Sequence, residues 1–235
     1  DPPVVVAASF VGKDGAMTRS SRHPAEPSIP SAYDAARHTA IATTRAFFGP
    51  RAAGWEDRFP DDGPSYAQAV TKLAAPAGGT ILDVACGTGR ALPPLRASVG
   101  PAGTVIGVDL TAQMLAEATR RDRHLLATLV LADAMRLPLA GDSVDAIFAA
   151  GLLPHADDPV TGLRELARVC HRGGRLALFH PIGRARLAKR RGRELADGDI
   201  RSEARIRAAL AETGWRCESV DDTDHRYLAL AVRGD

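Results

Sequence analysis

The sequence predicts an α/β fold: a doubly wound, mostly parallel sheet with an antiparallel terminal strand. Two observations carry this expectation. Short apolar runs recur at 80–85, 104–109, 126–132, 144–150 and 175–180, and helical patterns lie between most of them. Such near-continuous runs suit strands buried on both faces. The last two runs, 215–220 and 227–232, are joined by a short acidic segment around Asp221 and Asp224. A parallel pair needs a long crossover, so this connection implies antiparallel strands.

Taken in order, residues 1–30 are rich in Pro, Ser, Gly and charge and read as a disordered tail, with Met17 as a candidate natural start. A helix is expected over 31–48, ended by Gly49-Pro50. A loop with Trp55, Arg58 and Phe59 follows, and Tyr66, Val70 and Leu73 mark a second helix. The first strand runs into a loop carrying Gly87 and Gly89, where backbone can approach a ligand closely. Thr111 can cap a helix bearing Met114, Leu115 and Ala118. Asp158-Pro159 is an N-cap with proline at the first helical position, and Gly173-Gly174 is read as that helix's stop. Ser202 opens a last helix, closed by Gly214.

Composition excludes several classes. An apolar fraction of 45% with 25% charged residues is that of an ordinary soluble globule. A net charge of +2 is too small to imply nucleic acid or a membrane surface. Cys86, Cys170 and Cys217 are scattered without paired spacing, so no metal or disulfide framework is expected, which fits a reducing cytoplasm. No apolar run approaches a membrane span, and the opening residues lack the basic flank of a secretory signal.

In open α/β sheets ligands bind beyond the carboxyl ends of the strands. The Gly87/Gly89 loop, Asp109, Asp133 and the stretch after Ala150 all fall there. Asp109 is placed to accept from both hydroxyls of a ribose, which an amide could not do. Asp133-Ala134 can read an adenine edge, by carboxylate and by backbone N–H. A nicotinamide-dinucleotide enzyme would carry a third small residue of G-x-G-x-x-G, where this chain has Leu92. That reading also leaves Asp133 and Gly173-Gly174 without a role.

On these residues the chain resembles the class I S-adenosyl-L-methionine (SAM)-dependent methyltransferases of small-molecule type. Ile81–Gly89 is similar to their first motif and Val105–Asp109 to their second strand. Ala132–Pro138 with Asp142–Asp145 resembles their adenine loop and fourth strand, and Leu163–Val169 with Gly173-Gly174 their turn into the fifth. The match covers roughly 66–180. Ala85 departs from the usual glycine, and Arg172 from the usual proline.

The resemblance implies a Rossmann-like domain over 76–235 preceded by a helical lid over 31–75. It places Gly87 and Gly89 beneath the methionine and ribose of the cofactor, Asp83 at its amino group, and Asp109 at the ribose. Asp133 and Ala134 would face the adenine and Ala150–Leu152 the sulfonium; Ala85 and Leu110 complete the cofactor set. His155 and His180 are the candidate bases, since imidazole titrates near neutrality. Tyr33, Trp55 and Phe59 are candidate acceptor contacts on the lid, with His38 and Arg58 nearby. The basic run Arg184–Arg193 is a solvated face or an attractant for an acidic acceptor. The expected activity is methyl transfer to a small molecule, with S-adenosylhomocysteine as product. The alternative is a SAM-binding protein with a non-methylating role, a cyclase-type catalyst or a SAM sensor. No nucleic-acid, membrane or metal partner is expected: the Asn/Asp-Pro-Pro-aromatic motif is absent from 149–154, and a helix cap explains Asp158 better than a metal does.

Overall fold

The computed structural model describes residues 32–196 and 198–234, with side chains from Ala35 onward. The expected tail over 1–30 lies outside the described residues. Seven strands form one sheet: β1 (Thr80–Val84), β2 (Thr104–Asp109), β3 (Thr128–Leu131), β4 (Val144–Ala150), β5 (Cys170–His180), β6 (Trp215–Thr223) and β7 (Arg226–Arg233). Their order is β3-β2-β1-β4-β5-β7-β6. The pairs from β3 through β5 are parallel, while β7 runs antiparallel to both β5 and β6. The mixed edge is thus as the short connection predicts.

Helices cover both faces: α1 (Ala32–Phe48), α2 (Gly63–Leu73), α3 (Leu92–Val99), α4 (Ala112–Arg120), α5 (Pro159–Val169), α6 (Arg184–Arg190) and α7 (Glu203–Glu212). Successive strand residues point to opposite faces. Ile81, Phe148 and Phe179 therefore pack under α2 and α3, while Leu82, Ile147 and Leu178 pack under α5 and α7. Tyr66 of α2 meets the Phe179 ring edge-on at 4.9 Å, and Phe148 lies 5.6 Å from Phe179.

Several local expectations change. Gly173-Gly174 does not stop a helix. α5 ends at Val169, β5 begins at once, and both glycines sit in an irregularity where Val144 pairs with Cys170 but Ala146 with Arg175. Gly173 takes a φ of +77°, and a β-carbon on Gly174 would lie 2.4 Å from the Cys170 sulfur, so the bulge requires small residues. Thr111 and Ser202 stand at the N-cap positions without a side-chain cap bond. Asp158 does cap, accepting from the Thr161 N–H at 3.0 Å. The third strand is shorter than its apolar run, 128–131 against 126–132, because Arg123–Leu126 closes into a tight turn.

The basic run forms α6, which the sequence did not show as a helix. Its start is fixed to the end of β6. Arg184 donates to Asp222 from its backbone N (2.9 Å) and from Nε (2.7 Å). A β-carbon on Gly183 would lie 1.6 Å from the Thr223 carbonyl oxygen. Gly183→Ala should therefore lift α6 off the strand and cost about 1–3 kcal/mol; an unchanged thermal melting midpoint would refute this docking.

Candidate cofactor and acceptor site

The strand order reverses between β1 and β4, and a cavity of about 400 Å³ opens there beyond the strand carboxyl ends. Its inner part is built from the loops after β1, β2 and β3. Asp83, Ala85, Gly87, Asp109, Leu110, Asp133 and Ala134 all line it, as do Ala150 and Leu152 after β4. Gly89 does not. Its φ is +82°, and a β-carbon there would press on Leu92 at 2.8 Å and Arg123 at 2.9 Å, so this glycine serves packing. A β-carbon on Gly87, by contrast, would meet nothing within 4 Å. Ala85 takes a φ of +57°, a left-handed conformation that favours glycine.

The acids differ in their partners. Asp109 is buried and accepts from the Gly87 N–H and the Thr111 N–H, each at 2.8 Å. Burial raises its carboxyl above the usual range, and these hydrogen bonds oppose the rise. Asp83 is also buried, and neither of its oxygens has a partner. Burial, with the neighbouring Asp109 charge, pushes its carboxyl well above the usual range. Asp133 accepts from the Met135 N–H at 2.9 Å and is ion-paired with Arg37 of α1.

The outer part is apolar and aromatic. Phe48, Trp55 and Phe59 line it with His155 and His180. Trp55 lies 5.5 Å from Phe48 and 5.6 Å from Phe59. His155 opens onto the cavity and packs edge-on against Phe48 at 5.0 Å. Burial, then the Arg191 and Arg201 charges, lower its pKa. The His180 Nδ1 lies 2.8 Å from the Ile182 carbonyl oxygen and 3.1 Å from the Ile182 nitrogen. The two contacts call for opposite tautomers: Nδ1–H would donate to the carbonyl, whereas the Ile182 N–H donates to an unprotonated Nδ1. Burial lowers the His180 pKa to about 4, so the ring is neutral at pH 7. Tyr33 falls outside the residues whose side chains are described, and His38 and Arg58 do not line the cavity.

Charge pairs tie the N-terminal segment to the inner loops. Glu56 accepts from the Thr88 hydroxyl at 2.7 Å and is gripped by Arg123, with Arg121 at 3.5 Å. Burial alone would raise Glu56, but the Arg123 and Thr88 hydrogen bonds outweigh it and hold the carboxyl low. Arg45 donates to the Leu110 carbonyl at 3.0 Å, and Arg90 to the Phe59 carbonyl. Arg37, Tyr66, Arg90 and Cys86 also line the cavity, and sequence reasoning did not select them as site residues. Their contacts join segments far apart in the chain, and no local pattern marks that.

Residues 82–178 match the family described as "Methyltransferase domain". Over that stretch the chain is similar to methyltransferase domains. Demethylmenaquinone methyltransferase of Roseiflexus sp. is 35% identical over 125 residues, spanning 51% of this chain and 52% of the relative. The chain spans about a third to a half of the length of the curated relatives it matches. A SAM-dependent methyltransferase from Aquifex aeolicus superimposes with a TM-score of 0.59 at 24% identity, covering 72% of this chain and 89% of that one. Magnesium protoporphyrin IX methyltransferase of Synechocystis PCC 6803, solved with bound S-adenosylhomocysteine, gives 0.64 at 18% identity over 83% of this chain and 100% of its own. These likenesses bear out the mixed Rossmann-like sheet.

The inner cavity suits, in its chemistry, the SAM on which the Aquifex aeolicus neighbour depends. The partnerless Asp83 carboxyl offers two acceptor oxygens to an ammonium group, and the open space at Gly87 admits close backbone approach. Among the described residues no helix is long and apolar enough to cross a membrane.

Proposed function

We propose that the protein transfers the SAM methyl group to a small-molecule acceptor held in the aromatic outer part of the cavity. One observation carries this reading: the motif residues and the aromatic chamber line a single continuous cavity. Relatives named for quinone methylation support an acceptor of ring size.

In this reading Asp83 meets the cofactor's amino group and Asp109 its ribose hydroxyls. Asp133 and the Ala134 N–H meet the adenine; the carboxylate has lone pairs left beside its bonds to Arg37 and Met135. Gly87, Ala85 and Leu110 shape the floor, and Ala150 with Leu152 borders the reacting end. The bound cofactor supplies an electrophilic methyl on a good leaving group, so the protein's work is positioning and exclusion of water. Phe48, Trp55 and Phe59 exclude water and hold the acceptor's apolar ring. Residues 31–75 act as a lid, tied down through Arg37, Arg45 and Glu56. His180, neutral at pH 7 and oriented by Ile182, takes a proton from a hydroxyl acceptor, with His155 beside it as a second candidate.

Calorimetry with SAM, S-adenosylhomocysteine and NAD, followed by release of S-adenosylhomocysteine over a hydroxylated aromatic panel, tests this function. Binding of the first two and turnover with at least one acceptor are expected. Binding of NAD without SAM would sink the cofactor assignment. SAM binding without turnover over a broad panel would favour a non-methylating role.

A further inference from the structure

The outer wall of the cavity carries a charge that the proposed function does not use. Four arginines line the cavity. Arg37 is paired with Asp133, and Arg90 lies 3.8 Å from Asp62 and 3.9 Å from Glu56. Arg190 and Arg191 come from the end of α6, which Gly183 and Arg184 dock against β6. The Arg190 guanidinium sits 5.4 Å from the centroid of the Phe59 ring, a cation–π contact that lays it over the aromatic wall. Arg191 has no carboxylate within ion-pair distance among the described residues, and its charged neighbours are Arg193 and Arg201. Arg201 is itself neutralised by Asp199 through bonds of 3.0 and 2.8 Å. Of the cavity's acids, Asp83, Asp109 and Asp133 belong to the inner part, Asp62 lies beside Arg90 and within the field of Arg190, and Asp157 lines the wall without pairing with Arg191.

We infer that the acceptor carries an oxyanion, a carboxylate or phosphate, which Arg191 binds while Arg190 and Phe59 cover the adjoining ring. This rests on the methyltransferase reading and names its substrate class. An unpaired guanidinium at the mouth of an apolar chamber is matched by a planar oxyanion, which accepts two parallel N–H bonds. His155 and His180 lie within the reach of the same positive charge and are held neutral beside it. An anionic acceptor therefore meets an attracting guanidinium and uncharged imidazoles, an arrangement that leaves the imidazoles free to accept a proton. The basic run thus divides: Arg184 is a structural anchor, and Arg191 is the substrate-facing member.

The test uses the whole chain loaded with S-adenosylhomocysteine and a set of aromatic hydroxy acids, each paired with its neutral amide. Calorimetry should show acids binding about tenfold or more tighter than their amides. Arg191→Ala should abolish that preference, Arg191→Lys should retain part of it, and S-adenosylhomocysteine affinity should be unchanged in both. No acid preferred over its amide, or a preference that survives Arg191→Ala, overturns the inference. Equal loss of S-adenosylhomocysteine affinity in Arg191→Ala also overturns it, because Arg191 would then serve the cofactor's carboxylate. A wild-type protein that fails to bind S-adenosylhomocysteine overturns the methyltransferase reading itself, a result distinct from these.

Discussion

Asp109→Ala should lower the affinity for S-adenosylhomocysteine by about a hundredfold or more. A hydrogen bond to a charged group contributes about 1.5–3 kcal/mol, and a ribose diol offers two. Losing both exceeds the roughly 2.7 kcal/mol that a hundredfold represents. A second effect acts in the same direction. The carboxylate accepts from Gly87 N and Thr111 N, so it joins the glycine loop to the start of α4. Without it both loops lose a shared anchor, and the cofactor must order them on binding. Asp109→Asn is the stringent control. Its amide keeps the shape but turns an NH₂ towards an N–H donor or towards the ribose, so most of the loss should remain. The readout is calorimetric affinity together with the thermal shift: S-adenosylhomocysteine should raise the melting midpoint of the wild type and leave that of Asp109→Ala nearly unchanged. A variant that binds within threefold of wild type, roughly 0.7 kcal/mol, would place the ribose elsewhere.

The inner site was legible in the sequence because its chemistry sits where backbone pattern is strongest. Asp83, Asp109 and Asp133 each stand in or just after an apolar strand, so finding the strand ends locates the acids. The outer site was less legible. Trp55 and Phe59 were found as aromatic residues in a loop, but nothing local sets Phe48 against His155, or Arg190 over Phe59. These contacts depend on how α1 and α6 pack, and side chains from separate elements meet there. Glu56 is the clearest case: its partners Thr88, Arg121 and Arg123 lie 32 or more residues away, in the glycine loop or beyond it. Two glycine positions show how far motif reading reaches. The motif points Gly89 at a ligand and Gly173-Gly174 at a helix stop; in the fold Gly89 also packs against the Leu92 and Arg123 side chains, and the pair forms a bulge beside Cys170. A glycine announces that space or backbone is special, and only the fold says which neighbour needs it.

His180→Ala should reduce turnover of a hydroxyl acceptor by about 10²–10⁴-fold, the usual contribution of a positioned general base. Affinity for S-adenosylhomocysteine should hold within a few fold. The split matters, because a merely structural histidine would disturb both. The pH dependence sharpens the assignment. A base acts in its neutral form, and burial lowers this ring's pKa to about 4. Turnover limited by His180 should therefore be flat from neutral pH down to about 5 and fall only towards 4, whereas an ordinary histidine would lose activity from about 6.5. Stability follows the same ring. The folded pKa lies below the unfolded value, so the unfolded chain binds the proton more readily between them. The neutral ring's contribution is present above about 6.5 and is lost as the pH falls through about 4. His180→Ala should accordingly melt with less acid sensitivity in that window even as it loses turnover. Wild-type activity that titrates with a midpoint near 6.5, or full turnover in His180→Ala, would remove His180 from the proton's path.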